Sequence, residues 1–279
     1  MTRPLTISTV NVNGIRAAIK QRSDDNRGLL AWFAQTTADV VCLQETRADD
    51  EQVAEALEPL LADGWHLACA EPHVKGRNGV AVVSRVAHDD VRIGCGAEEF
   101  ADHGRYLEVD TCGVTVGSVY FPTGEAATER QREKERFMAA VAQRMAALCA
   151  DGRDAVLCGD WNIAHREEDL KNFKANTTKS GFLPVEREWM TSLFGPNGVG
   201  VDTAGNPTGW TDAQRYLQPE GCGPYSWWSY RGKAFDNDAG WRIDYQAITP
   251  GLVDHLQEAR VERADAYALR WSDHAPVTV

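Results

Sequence analysis

Two segments constrain the fold of this chain more than any others. ADVVCLQE (residues 38–45) and DAVLCGDWN (residues 154–162) each run apolar over consecutive positions and then stop at a carboxylate, Glu45 or Asp160. Apolar runs of strand length, bounded this way, read as buried strands. Helical spacing precedes each of them, in NRGLLAWFAQT and in TERQREKERFMAAVAQRMAALCA. Phe137, Val141, Arg144 or Met145, and Leu148 mark the faces of the longer helix. DEQVAEALEPLL is amphipathic and is expected to stop near Pro59. The remaining strands are short and mostly follow one another at hairpin-like spacing: LTISTVN, WHLACA, GVAVVSR, DVRIG, RYLEVD, VTVGSVYF, RIDYQAI and SDHAPVTV. The expected fold class is α/β, with two packed sheets and helices outside, in one domain spanning residues 1–279.

In such layered proteins, side chains at strand ends face the crevice where ligands bind. Glu45 and Asp160 end strands, and Asp244 and Asp273 are read at strand starts, so the four can converge. Carboxylates crowded into one cleft must either take up protons or share a cation. The donors Glu45, Asp160 and Asp273, with the amides Asn11, Asn13 and Asn162 and no thiolate, suit a hard ion, Mg²⁺ or Mn²⁺. Any one of these acids alone reads equally as a turn cap; their recurrence at strand ends is the argument. In GDWN, Gly159 permits a tight backbone, and Asp160 and Asn162 share a face if the chain is extended. Asp273 and His274 stand near the last residue, where a chain frays unless it is anchored.

A net charge of −12 argues, taken alone, against a nucleic-acid partner. Binding needs only one basic face, however. Residues 166–187 are locally basic, with Arg166, Lys171, Lys174, Lys179 and Arg187 interleaved with Asn172 and Asn176. Nine tryptophans are many for 279 residues, and Trp227, Trp228 and Trp241 gather around one stretch, with Trp228 expected in the core. The seven cysteines are scattered without a Cys-x-x-Cys pair, which argues against a disulfide framework or zinc ribbon. No apolar run is long enough to span a bilayer, and MTRPLTISTV lacks the apolar centre of a signal peptide. A cytoplasmic protein with no membrane partner is expected.

The motifs NVNGIRA, LQET, VYFPTGE, GDWNIAH, GFLPVER, GWRIDY and SDHAPV occur in the order that characterises the exodeoxyribonuclease III family of abasic-site endonucleases, within the endonuclease/exonuclease/phosphatase superfamily. The chain resembles that family over nearly its whole length. The resemblance implies a four-layer sandwich of two mixed β-sheets between helices, and Mg²⁺-dependent cleavage of the phosphodiester 5′ to abasic sites. It also implies 3′–5′ exonuclease or 3′-phosphodiesterase activity on duplex DNA, base excision repair as the setting, and a monomer. By the same resemblance Asn11, Glu45, Asp160, Asn162 and Asp273 surround the metal, with Mn²⁺ a substitute for Mg²⁺. Tyr120, Asp160, Asn162, Asp244 and His274 match catalytic positions, with Asp244 orienting His274. Trp227, Trp241 and Ile243 match a pocket for a base-free sugar, and Asn172, Asn176 and Lys179 lie on the loop expected to grip phosphates. Either Asp160 or His274 can handle the proton of the attacking water, and the sequence leaves both open. Two positions depart from the pattern: Asn13 stands where some relatives carry Asp, and Thr123 replaces an amide. Alternative readings are a phosphatase or phosphodiesterase of the same fold acting on phosphoinositides or lipids, or a non-catalytic DNA-binding relative.

Overall fold

The computed structural model describes residues 4–279. Two six-stranded sheets pack face to face. The first contains β1 (Ile7–Asn11), β2 (Val40–Gln44), β3 (His66–Ala70), β4 (Val80–Ser84), β11 (Arg260–Val261) and β12 (Val277–Thr278) in the order β11-β12-β1-β2-β4-β3. The second contains β5 (Asp90–Ile93), β6 (Tyr106–Thr111), β7 (Val114–Tyr120), β8 (Ala155–Asp160), β9 (Thr211–Asp212) and β10 (Asp244–Ile248) in the order β5-β6-β7-β8-β10-β9. Each sheet is mixed. Its central pair, β1 with β2 or β7 with β8, is parallel, and the other pairs are antiparallel.

Those central strands explain the apolar runs. A strand with a sheet neighbour on each side and a layer above and below it has no wet face, so alternation disappears. Every residue of β1, β2 and β8 is buried. Between the sheets, Val40, Cys42, Val80 and Val82 of one meet Leu107, Val116, Val156 and Cys158 of the other. A polar stitch crosses the same seam: Gln44 Nε2 donates to Ser118 Oγ (2.9 Å), which donates to the Leu43 carbonyl (3.1 Å). No disulfide is involved, since all seven cysteines are free thiols.

Helices close the outer faces. α1 (Ile15–Ala18), α2 (Leu29–Phe33), α3 (Asp50–Ala56) and α4 (Glu58–Ala62) cover the first sheet. α5 (Glu129–Ala150) and α6 (Pro184–Phe194) cover the second, while α7 (Ala213–Leu217) and α8 (Pro250–Val253) are short. The expected single helix over 50–61 is two, broken at Leu57. Pro59 lies in the first turn of α4, where a missing N–H costs nothing, so it starts a helix rather than stopping one. In α5, Met145 is the buried member of the Arg144/Met145 alternative; Arg144 instead reaches Glu108 of β6 at 2.6 and 2.8 Å. Among the described residues no helix is long and apolar enough to cross a membrane.

Register decides what stands at the rim. Asn11 lies opposite Gln44, and Tyr120 opposite Asp160, so both parallel pairs present their carboxyl ends to one edge of the sandwich. Asp244, the first residue of β10, pairs with Asp160. Gly159 is required by that geometry: it has φ +148°, and a Cβ there would sit 1.9 Å from the Val119 carbonyl oxygen. Asp273 departs from expectation. It precedes β12 by several residues, in a turn rather than at a strand start.

Candidate active site

A cleft of about 350 Å³ opens at that edge, and its lining includes Asn11, Asn13, Glu45, Tyr120, Asp160, Asn162, Asp273 and His274. The backbone that presents these groups is unusual. Asn13, Glu45 and Asn162 all have positive φ, at 49°, 54° and 52°. Non-glycine residues in this region carry backbone strain, which concentrates at functional sites. Each turns the chain sharply just after a strand, which aims the side chain into the cleft instead of continuing the sheet.

The tightest group is Asp160, Asp244 and His274, whose ligand atoms lie within 4.8 Å of one another. His274 Nδ1 is 2.8 Å from Asp244 Oδ2, and its Nε2 is 3.7 Å from Asp160 Oδ2. Burial works against a charged imidazole here, but Asp244 and Asp160 outweigh it and raise the His274 pKa to about 10. Burial also disfavours the Asp160 carboxylate and, with Asp244 nearby, raises its pKa to about 7, against the pull of His274 and Asn11. The Asn11 amide donates to Asp160 Oδ2 (2.9 Å), and the Asn162 backbone N–H to Oδ1 (2.9 Å).

Glu45 and Asp273 enter the same cleft outside that tight group. Glu45 Oε1 accepts from the Tyr120 hydroxyl (2.8 Å) and from Arg47 Nη2 (2.9 Å). Asp273 accepts from the Asn13 amide (2.7 Å) and from Trp227 Nε1 (3.1 Å). Burial pushes the Tyr120 hydroxyl well above its usual pKa, with Glu45 and Asp160 adding to the effect, so it stays protonated. The C-terminal pair does not fray because its turn is anchored on three sides. Ser272 Oγ donates to the Asn11 carbonyl (2.6 Å), Arg270 Nη2 to the Asp273 carbonyl (2.7 Å), and the Ala275 N–H to the Ser226 carbonyl (2.8 Å).

The donor set fits a hard divalent cation. Glu45, Asp160 and Asp273, with the amides of Asn11 and Asn162, offer only oxygen donors to an ion, and no thiolate lines the cleft. Such an ion keeps several waters and needs only one or two direct carboxylates, which accords with Glu45 and Asp273 standing apart from the acid–imidazole group.

The other wall is aromatic. Trp227 and Trp241 exchange two backbone hydrogen bonds of 2.9 Å and meet edge to face, with ring centroids 6.3 Å apart. Ile243, Phe182, Leu170 and Ala164 pack with them. Trp241 and Ile243 line the cleft, while Arg242 between them enters a fully buried quartet with Asp169, Asp212 and Arg215. This alternation sets the aromatic wall on a fixed base. Gly181 closes the pocket: at φ +90°, a Cβ would lie 3.2 Å from the Trp241 ring. Trp228 is buried as expected, its indole N–H donating to Asp238 (3.0 Å).

The basic loop behaves differently. Asn172, Asn176 and Lys179 do not line the cleft; the Asn176 amide donates to the Asn172 carbonyl (2.9 Å) within the loop. Only Ser180 and Gly181 of this loop reach inside. Arg187 is engaged structurally, donating to the His165 carbonyl (2.9 Å) and lying over the Phe182 ring. Sequence reasoning missed a second trough of about 620 Å³ that shares Glu45, Arg47, Tyr120 and Thr123 with the cleft and adds Arg77, Arg105 and Arg130. Arg47 follows the strand-end glutamate by two residues, a signal that was available. The other three arginines come from separate segments, so no basic run announces them.

Sequence reasoning also missed what holds the cleft from behind. Lys134 and Glu186 form a fully buried ion pair at 2.7 Å. Lys134 Nζ donates to the Asn162 carbonyl (2.9 Å), while Glu186 accepts the N–H groups of Gly181 (2.7 Å) and Leu183 (2.9 Å). The signal was a lysine one turn before Phe137 on the apolar stripe of α5.

His165 sits beneath the same floor. Its Nε2 faces Thr191 Oγ1 (2.9 Å), whose own hydrogen goes to the Arg187 carbonyl, so Nε2 carries the imidazole hydrogen. Its Nδ1 is buried with no partner. A second proton would be desolvated there, and burial lowers the pKa from 6.5 to about 4. Between those values the unfolded chain binds a proton that the native state refuses, so stability falls as pH drops from 6.5 toward 4. The full shift corresponds to roughly 3–3.5 kcal/mol. His165→Gln is therefore expected to flatten the fall in melting temperature between pH 6.5 and pH 4.5; an unchanged slope would remove the assignment.

With this geometry in view, the relatives are informative. The model of the endonuclease/exonuclease/phosphatase family matches residues 8–274. An exodeoxyribonuclease of Bacillus subtilis is 34% identical over 267 residues, covering 96% of this chain and 95% of its own. The DNA repair nuclease APEX1 of Danio rerio is 28% identical over 275 residues, covering 99% of this chain and 81% of its own. Among solved structures, the 3′ phosphatase NExo from Neisseria, bound to a product DNA hairpin, superposes with a TM-score of 0.84 at 31% identity, covering 98% of each chain. An AP endonuclease from Archaeoglobus fulgidus shares the fold at a TM-score of 0.81 and 24% identity, again over 98% of each chain. A match running from β1 to the terminal histidine leaves little of the chain outside it, and this chain belongs to the endonuclease/exonuclease/phosphatase family.

Proposed function

We propose that this chain is a divalent-metal-dependent DNA repair nuclease that hydrolyses the phosphodiester 5′ to abasic nucleotides and also acts on 3′ ends of duplex DNA. The observation that carries the reading is one cleft with two unlike walls. Oxygen donors and an acid–imidazole group stand on one side, and a small apolar pocket of Trp227, Trp241 and Ile243 on the other. Relatives named as an exodeoxyribonuclease and a DNA repair nuclease support DNA as the substrate.

The residue chemistry supports hydrolysis. Asp244 and Asp160 raise the His274 pKa against burial and so favour the doubly protonated ring, with Nδ1–H to Asp244 and Nε2–H left to donate to a phosphate oxygen. A doubly protonated imidazole cannot accept the water's proton. We assign that role to Asp160, whose carboxylate stands 3.7 Å from His274 Nε2 and is held by the Asn11 amide and the Asn162 N–H. The Tyr120 hydroxyl, whose one hydrogen goes to Glu45 here, and the Asn162 amide, which donates to the Phe121 carbonyl and to Asp160, would turn toward the phosphate to donate as charge builds on it. Glu45 and Asp273, with Asn11, Asp160 and Asn162, would hold Mg²⁺, or Mn²⁺ as substitute, which would supply charge neutralisation at the phosphate and the departing oxygen.

The aromatic pocket supports abasic selectivity. A sugar without a base leaves the duplex more cheaply than a stacked nucleotide does. Covering a base-free sugar with the Trp241 ring removes apolar surface from water, worth about 1.5–3 kcal/mol, so Trp241→Ala is expected to lower kcat/KM on abasic duplex by roughly 10- to 100-fold. The test compares end-labelled abasic duplex, intact duplex and a 3′-phosphate end, each with Mg²⁺ and with EDTA. Incision should follow Mg²⁺ and favour the abasic strand. Equal rates on abasic and intact duplex would end the reading.

A further inference from the structure

Among the described residues, one other group of side chains besides the acid–imidazole centre has all its ligand atoms within 4.8 Å: His73, Asp102 and His103. It lies where the loop after β3 meets the loop before β6. The His73 N–H donates to the Asp102 carbonyl (2.9 Å), the Gly79 N–H to the Gly104 carbonyl (2.9 Å), and the Asn78 amide to the His103 carbonyl (3.0 Å). Gly104, at φ +60°, lets the two loops touch; a Cβ there would be 2.6 Å from Pro72 N and 2.8 Å from the Ala70 carbonyl oxygen. The three side chains therefore ride on two loops locked together rather than on free ends.

The rings are also held. Their centroids are 5.3 Å apart, and Phe100 packs edge-on against His103 at 5.4 Å. His73 Nδ1 lies 3.2 Å from the Asp102 carbonyl oxygen and 3.6 Å from its carboxylate, and His103 Nδ1 lies 4.0 Å from Glu133. Oxygen partners at imidazole nitrogens orient histidines in metal sites. Two histidines among solvated loops often serve no purpose. Here, however, both line the arginine-bearing trough that opens onto Glu45 and Tyr120, and neither lines the cleft itself.

We propose that His73, Asp102 and His103 form a second metal site, a two-histidine, one-carboxylate face for a borderline transition ion such as Zn²⁺ or Co²⁺. Two imidazoles and one carboxylate select such ions, whereas the all-oxygen donors of the cleft select a hard ion, so the two sites differ in metal. Three protein ligands leave positions open, and an ion held there adds positive charge along the trough beside Arg77 and Arg105.

The test is equilibrium dialysis of the full chain against Co²⁺, with excess Mg²⁺ to occupy the oxygen-rich cleft. Wild-type protein is expected to retain one more Co²⁺ equivalent than His73→Ala/His103→Ala. Visible absorption bands should accompany that equivalent, and Asp102→Asn should weaken them. His73 and Asp102 are exposed, so His73→Ala and Asp102→Asn should melt with the wild type, and His73→Ala alone, which keeps His103 packed on Phe100, should already lose the extra Co²⁺ equivalent. Equal Co²⁺ stoichiometry in wild type and double variant would overturn the proposal. Because the readout is bound metal, the result is independent of which bond the cleft hydrolyses.

Discussion

Asp160→Ala is expected to lower kcat on abasic duplex by roughly 10²- to 10⁴-fold, the range spanned by removal of a positioned general base. Its melting temperature should change little. The carboxylate is 2% exposed and its pKa is raised by burial, so above that pKa its charge is a cost to the native state. Against that relief stand three lost acceptor contacts, to the Asn11 amide, the Asn162 N–H and the Asn162 amide. A loss of activity without unfolding separates a chemical role from a structural one. The pH profile gives a second check. A base must be deprotonated, so kcat should rise with pH through a limb whose midpoint is no higher than about 7, since a bound cation only lowers it. Single-turnover rates within about 10-fold of wild type would transfer the role to another group.

Lys134→Met is expected to be among the most destabilising single changes behind the cleft. Lys134 and Glu186 are both fully buried, and removing one partner leaves the other charge unpaired at a cost of about 3–5 kcal/mol. Burial opposes the lysine's charge, and Glu186 is the first of the groups that restore it. Lys134→Met/Glu186→Leu removes both charges and should recover much of the loss, as an uncharged pair of similar volume often does. The double variant should still be catalytically impaired, because Asn162, Ser180 and Gly181 lose the contacts that fix them against the cleft. Urea denaturation of the three variants, with cleavage rates alongside, checks both halves. A Lys134→Met variant as stable as wild type would show that the pair does not hold this region.

Much of the fold was legible because its central strands are sealed on both faces. An apolar run such as VVCLQ or AVLC has few places to go other than the interior of a layered sheet. The strand-end acids were legible for the same reason, since a buried strand ends where water begins. Asn13, Glu45 and Asn162 illustrate the limit: their left-handed backbone is a property of neighbouring loops, not of the residues. The expected placement of Asp273 at a strand start failed because β12 begins only at Val277, and Ser272, Arg270 and Ser226 set the turn before it. The basic loop illustrates a different limit. Charge in a run is visible in sequence, but the trough gathers Arg47, Arg77, Arg105 and Arg130 from four segments.

By itself, the sequence determined which residues could do chemistry and which strands had to be interior, because local composition and period decide burial and ligand type. The tertiary structure alone decided which charges meet. Electrostatic coupling depends on distance and burial, and both are set by contacts between residues far apart in the chain. Asn11 meets Asp160 and Asp244 meets His274 across two facing sheets, and Lys134 meets Glu186 between two helices. The raised pKa values of Asp160 and His274 follow from those meetings, which no stretch of residues read alone contains.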